Sequence, residues 1–236
     1  MLSHPAAAAA HRHVSGVCHD RGVDLDALRQ EYETSPLDAA DLAADPITQI
    51  ERWLARWLEV APNEPAAVVL ATVDESGRPS ARNVLLRGID QRGLTFFTSY
   101  ESRKGAELAA NPQATILFSW VPLLRQIHVG GRVERVEPAE SDTYWATRPR
   151  GSQLAAWSSA QSQVLADRAA LEARFAEAER RFDGTDVPRP PYWGGYRLIP
   201  DTVELWQGRP NRMHDRLRYQ RPAGDADGWE VVRLSP

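Results

Sequence analysis

The chain has a single cysteine, Cys18, so no disulfide can close within its 236 residues. No stretch approaches the ~18 consecutive apolar residues that a membrane-spanning helix needs. Charge of one sign is missing too: 28 Lys and Arg stand against 32 Asp and Glu, a net charge of −4. No basic excess is available to offset a phosphate backbone, which argues against a general nucleic-acid binder. Glycine-rich loops of the GxGxxG or GxxxxGK kind are lacking, so any nucleotide must be held by arginine and lysine. Cys/His spacing for zinc, a nucleophile elbow and a distinctive acid/base carboxylate pair are lacking as well. The expectation from these absences is a soluble cytoplasmic protein with no metal and no membrane partner.

Residues 1–24 are small, polar and aperiodic, and are predicted to be a disordered tail. Their alanine run is too short for a secretory core and lacks a basic start. Four of the six histidines lie there: His4, His11, His13 and His19. Nothing in the pattern would hold them together as ligands. Residues 25–236 are the length of one domain.

Beyond the tail, Asp24–Tyr32 reads as a short helix. Asp45-Pro46 is a helix start, an N-cap followed by proline. Ile47, Ile50, Trp53, Leu54, Trp57 and Leu58 then recur at helical spacing, ending before Pro62. The period changes over Ala66–Val73, a β-branched run closed by a turn at Asp74–Gly77. Asn83–Arg87, Leu94–Thr98, Ala114–Ser119 and Gln126–Val136 are further strands, with a hairpin at Gln91–Gly93 and a bulge at Gly130-Gly131. Ser102 caps a short helix that ends at Asn111-Pro112. Two helices follow, Pro138–Thr147 and one striped by Leu171, Phe175, Ala178 and Phe182. Four strands close the chain: Gly195–Ile199, Thr202–Trp206, Leu217–Gln220 and Trp229–Leu234, with a turn over Ala223–Gly228. Strands and helices do not alternate, which favours an antiparallel barrel with helices outside over a doubly wound sheet.

Three basic clusters could meet an anion. Arg82 and Arg87 bracket an apolar strand. Ser102-Arg103-Lys104 opens a helix, where backbone N–H groups and the dipole add to two cations. Arg148-Pro149-Arg150-Gly151-Ser152 sits at a helix end. A solvated cation is the plain reading of any one of them, but arginine's planar fork suits phosphate oxygens. The most distinctive stretch is Trp206 to Arg216. Alternation puts Arg212, His214 and Arg216 on one face of an extended segment. That is either a cationic wall beside a π-surface or a hairpin salt-bridged through Asp215, and spacing alone does not separate them. Gln126 and Gln161-Ser162 are amides and hydroxyls placed where they could read a heteroaromatic edge.

Together, these residues resemble the pyridoxine (pyridoxamine) 5′-phosphate oxidase family. The landmarks are DPITQIERWL (45–54), LATVDESGRPSARNVLL (70–86), FFTSYESRKGAELAANP (96–112), RQIHVGG (125–131), RPRGSQLAAWSSAQS (148–162), PPYWGGYRL (190–198) and LWQGRPNRMHDR (205–216). The resemblance runs from about Arg29 to Pro236. It implies a mostly β, α+β fold, an antiparallel Greek-key split barrel. It implies a homodimer with FMN at the interface and a C-terminal dimerisation and active-site region over about 193–236. It implies oxidation of pyridoxine or pyridoxamine 5′-phosphate to pyridoxal 5′-phosphate, with O2 reduced to H2O2. The flavin site carried over is Arg82, Asn83, Val84, Leu85, Leu86, Arg87, Phe97, Thr98, Arg103 and Lys104. Gln126, Gln161, Ser162, Trp206 and Arg216 would come from the partner chain. Tyr144, Arg148 and Ser152, with Arg87, would take the substrate phosphate. Arg212, Met213 and His214 would lie over the pyridine, Arg212 and His214 as the catalytic pair, and Arg29 to Tyr32 would close as a lid.

The sequence departs from that pattern at Arg87, where the family usually has lysine. The charge is kept while reach and hydrogen-bond geometry change. Two alternatives follow: a flavin oxidase of another aromatic, such as a phenazine precursor, or a split barrel that binds flavin, haem or pyridoxal phosphate without catalysis.

Overall fold

A computed structural model describes residues 32, 34–61, 63–222 and 228–236. The expected tail, the helix over Asp24–Tyr32 apart from Tyr32 itself, and most of the turn over Ala223–Gly228 lie outside the described residues.

Helix α1 (Pro46–Leu58) begins as its sequence dictates. The Asp45 carboxylate accepts from the Thr48 backbone N–H at 2.9 Å, and proline occupies the first turn. Ile47, Ile50, Trp53 and Trp57 bury one face, and Trp57 stacks on Trp120 at 5.8 Å. Leu58, expected on that face, is 56% exposed at the helix end.

Strands β1 (Ala67–Val73), β2 (Pro79–Asp90) and β3 (Gly93–Ser99) form a meander, followed by helix α2 (Arg103–Ala110), β4 (Gln113–Trp120) and β5 (Arg125–Arg135). β4 returns to pair with β1, giving the order β3-β2-β1-β4 of a Greek key. β6 (Trp193–Gln207) pairs with β5 on one side and β3 on the other, closing a six-stranded antiparallel barrel. β7 (Asp215–Gln220) and β8 (Glu230–Arg233) extend the sheet outward from β6. Alternation fills the interior with Leu70, Phe96, Ile116, Ile127, Val129, Leu198 and Leu205, each 0% exposed. Each such burial contributes about 1.5–3 kcal/mol relative to exposure.

Two expectations about the strands are corrected. Gly195–Ile199 and Thr202–Trp206 are one strand, so three strands close the chain. Its Pro200 lacks a ladder donor, and the strand passes it by a bulge: Gly130 pairs with Thr202 and Gly131 with Pro200, leaving Asp201 extra. Gly131 is required there, because a Cβ would meet the Ile199 carbonyl oxygen at 2.0 Å. The strand expected over Asn83–Arg87 is also longer, since β2 pairs with β1 from Pro79.

Three helices, not two, lie between β5 and β6: α3 (Pro138–Thr147), α4 (Arg150–Ser158) and α5 (Arg168–Arg181). α4 has little apolar periodicity. It is held by Leu154 in a second core with Trp145, Ala178, Phe182, Val187 and Trp193. No helix among the described residues is long and apolar enough to cross a membrane.

Candidate functional site

At the end of β3, Lys104 from the first turn of α2 folds under the strand. Its Nζ lies 3.1 Å from Thr98 Oγ1, 3.2 Å from Ser102 Oγ and 2.8 Å from Gln161 Oε1. Ser102 also caps α2, accepting from the Gly105 N–H. Lys104 is 8% exposed. Burial, reinforced by the nearby Arg82 charge and opposed by Glu107, lowers its ammonium pKa to about 8. Gln161 therefore meets Thr98 and Lys104 of its own chain. Ser162 beside it has a left-handed backbone, φ 73°.

Arg82 is tied into a network that sequence reasoning missed. Its Nη1 donates to Leu70 O and Thr72 Oγ1, and its Nη2 to Ser80 and Glu107. Glu107 is the hub, and its only sequence signal is its place four residues after Arg103. Burial works to raise its carboxyl pKa, but hydrogen bonds from Thr72, Ser80, Arg103 and Arg82 outweigh that and bring it to about 2. Along β2, Asn83 and Arg87 are exposed, Val84 and Leu85 half-buried and Leu86 buried.

A cavity of about 410 Å³ is lined by Arg87, Tyr144, Thr147, Arg148, Pro149 and Ser152. It contains two cations and no carboxylate. Arg148 lies 4.6 Å over the Trp193 ring and donates through Nη2 to Ser152 O at 2.8 Å. Its Nε is buried without a hydrogen-bond partner. Burial holds its pKa below the usual arginine value, and the Arg87 charge adds to this against the help of Tyr144. Tyr144 stacks on Phe97 at 4.0 Å, so this cavity adjoins the Thr98–Lys104 cluster through one aromatic pair.

A second cavity, about 450 Å³, brings together Gln126, Trp206 and Arg216 with Leu117, His128, Glu204 and Pro236. The strand registers do this, pairing Gln126 with Trp206 and Trp206 with Arg216. Arg216 donates to Glu204 at 2.8 Å and to Ser235 O at 2.9 Å.

The stretch between Trp206 and Arg216 is not an extended segment. Pro210–Arg212 is a turn with positive φ at Asn211 (56°) and Arg212 (60°), and β7 begins only at Asp215. Arg212, His214 and Arg216 therefore do not share one strand face, because alternation fails where the chain turns. Arg212 and Met213 are exposed. His214 packs 4.7 Å from Trp206 and 5.9 Å from Tyr32, and its Nδ1 accepts from the Arg209 N–H. In the neutral ring this assigns the proton to Nε2. Asp215 pairs with Arg233 at 2.7 Å and Arg209 at 3.5 Å and accepts from the Leu37 N–H, so the salt-bridged reading holds for Asp215. Arg209 and Gly208 also bond Thr34. Of the expected lid, Tyr32 lies beside Trp206 and His214, while Arg29 lies outside the described residues. No group of three or more metal-ligating side chains occurs among the described residues.

A family model described as pyridoxamine 5′-phosphate oxidase matches residues 56–182. One described as the pyridoxine 5′-phosphate oxidase C-terminal dimerisation region matches residues 193–236. A curated pyridoxine/pyridoxamine 5′-phosphate oxidase of Burkholderia thailandensis is 54% identical over 209 residues, covering 89% of this chain and 97% of that protein. Among solved structures, PhzG from Burkholderia lata in complex with tetrahydrophenazine-1-carboxylic acid matches with a TM-score of 0.79 and 36% identity, over 88% of this chain and 100% of that one. A pyridoxamine 5′-phosphate oxidase-related, FMN-binding protein from Nostoc punctiforme shares the fold at a TM-score of 0.63 and 20% identity, over 83% of this chain and 100% of that one. With both family models matched in order and relatives at 54% identity, the chain belongs to the pyridoxine/pyridoxamine 5′-phosphate oxidase family.

Proposed function

We propose that this protein is an FMN-dependent oxidase that converts pyridoxine or pyridoxamine 5′-phosphate to pyridoxal 5′-phosphate, reducing O2 to H2O2. It works as a cytoplasmic homodimer, with the cavity at Gln126, Trp206 and Arg216 of one chain facing the Lys104 cluster of the other. The observation that carries this reading is the acid-free cavity of Arg87, Tyr144, Arg148 and Ser152, with the Arg148 Nε left without a partner. A half-buried guanidinium whose Nε is buried without a partner, beside a second cation, fits a phosphate dianion better than a neutral ring.

The residues fit a flavin phosphate in the same way. Lys104 is a buried ammonium beside Arg103 at a capped helix start, where a dianion is favoured. Bound FMN supplies hydride acceptance from the substrate and its delivery to O2. The chain's own contribution is orientation and charge. Arg148 and Ser152 anchor the substrate phosphate, so the pyridine is held in one register. His214, carrying its proton on Nε2, donates a hydrogen bond toward the substrate's oxygen or amine, and Arg212 balances charge developing there.

A second reading has its own observation. PhzG resembles this chain at 36% identity and was solved with tetrahydrophenazine-1-carboxylic acid bound, and Arg87 departs from the family's usual lysine. It predicts turnover of a phenazine precursor and none of the B6 phosphates. The test is an absorbance spectrum of the purified protein followed by aerobic assays with pyridoxamine 5′-phosphate and with a reduced phenazine carboxylate. Bound flavin without turnover of either B6 phosphate refutes the first reading.

A further inference from the structure

Glu107 is a buried carboxylate in the middle of a cluster of cations, and its role is not to hold an anion. We infer that Glu107 is a positioning residue that aims the Arg103 fork and locks Arg82, so that the cluster selects a phosphate monoester terminus. This rests on the flavin reading above.

The geometry separates the two arginines. Glu107 Oε1 accepts from Arg103 Nε at 2.8 Å, and Oε2 accepts from Arg82 Nη2 at 3.0 Å. Ser80 Oγ bridges both carboxylate oxygens at 2.8 and 2.7 Å, and Thr72 Oγ1 donates at 2.5 Å. Arg82 is used up on its own chain: Leu70 O, Thr72, Ser80 and Glu107 take both of its terminal nitrogens. Those bonds brace its guanidinium in place. Arg103 is different. Glu107 holds it by Nε alone, and neither Nη hydrogen-bonds a described residue, while the side chain is 56% exposed. Anchoring a guanidinium at Nε leaves its two-pronged edge facing outward, the edge that grips phosphate in a bidentate way.

The charges agree with this. Arg82, Arg103 and Lys104 with Glu107 leave two net positive charges, the complement of a phosphate monoester carrying about −1.5 to −2. Glu107 also repels that phosphate through the intervening arginines. A purely electrostatic role therefore predicts tighter FMN binding when the carboxylate is neutralised, whereas a positioning role predicts weaker binding. Screening at high salt, where the Debye length falls to about 3–5 Å, suppresses the first effect and spares the second.

The experiment measures flavin fluorescence quenching by flavin-stripped protein at 0.5 M salt, with FMN and with riboflavin, for the unaltered chain, Glu107→Gln and Ser80→Ala. Ser80→Ala removes one donor to Glu107 and keeps all four charges, so it stays informative if Glu107→Gln misfolds. The expected result for Glu107→Gln is FMN binding about tenfold weaker, the loss of one charge-assisted bond, with riboflavin binding unchanged. Ser80→Ala should shift the FMN-to-riboflavin ratio the same way by about threefold. An unchanged or higher ratio in both variants overturns the inference, as does equal weakening of both flavins, which marks a structural role only. If the unaltered chain shows no preference for FMN over riboflavin, the flavin reading falls and takes this inference with it.

Discussion

Lys104 and Arg212 are both cations of the candidate site, and their surroundings are opposites. Lys104 is buried, hydrogen-bonded to three side chains, and mounted on the first turn of a capped helix packed against β3. Arg212 is exposed, on a turn whose backbone is left-handed at two successive non-glycine residues. The barrel side of the site has met its desolvation and ordering costs during folding, and the depressed pKa of Lys104 records this. The loop side has not. Arg212 and Met213 stay exposed, while the base of the turn is pinned by Asp215, Arg209 and Thr34. Residues on the barrel side should therefore govern binding, and those on the loop side turnover.

The sharpest way to break that division is Arg148→Ala. Its guanidinium is the half-buried cation of the cavity proposed to take phosphate, so its loss should lower kcat/KM for pyridoxamine 5′-phosphate by about a thousandfold, mostly through KM, with flavin content unchanged. Arg212→Ala should cost less, about a hundredfold, and should appear in kcat. Steady-state kinetics at matched flavin occupancy check both. If Arg212→Ala raises KM alone, the loop is a binding element and the division fails.

A third expectation concerns pH. Lys104 holds its proton below pH 8, and a bound anion favours the charged form. FMN affinity of flavin-stripped protein should be flat below about pH 8 and fall above it, by at most tenfold per pH unit for one proton. The same depressed pKa disfavours folding most at low pH, and that penalty fades as pH rises from about 8 toward the unfolded lysine value near 10.5. Affinity titrations between pH 7 and 9.5 check the first effect, and a pH-independent affinity assigns the anchoring to Arg103 alone.

How far the sequence revealed these two regions follows from their physics. Strands β1, β3, β4 and β5 and helices α1 and α2 were legible because period and caps are local signals: Asp45-Pro46, Ser102 and Gly130-Gly131 each stand where the chain turns or bulges. The register that joins Gln126, Trp206 and Arg216 is not local, yet the family resemblance supplied those names. Helix α4 escaped because its burial rests on Leu154 meeting Trp145 and Phe182 in tertiary structure, not on periodicity. Glu107 escaped because its partners Thr72, Ser80 and Arg82 lie on two strands far away in sequence. The alternation rule misled at Arg212 because it assumes an extended backbone, and Asn211 and Arg212 adopt φ values that residues other than glycine seldom take.

The smallest expected effect falls at the border between the two regions. Arg87 lies on β2 of the barrel, yet it is exposed at the rim of the cavity it shares with Arg148 and Ser152. If Arg148 and Ser152 define the phosphate position, the rim cation adds long-range attraction, which lysine supplies as well as arginine does. Arg87→Lys should then change kcat/KM for pyridoxamine 5′-phosphate by no more than about threefold, the scale of a solvent-screened charge contact. A gain from no activity to measurable B6 turnover would mean that the arginine's reach had kept the phosphate out, and would move the assignment to the phenazine-type reading. A loss greater than tenfold would mean that Arg87 grips phosphate through two nitrogens, which places it with the buried, preorganised half of the site despite its exposure.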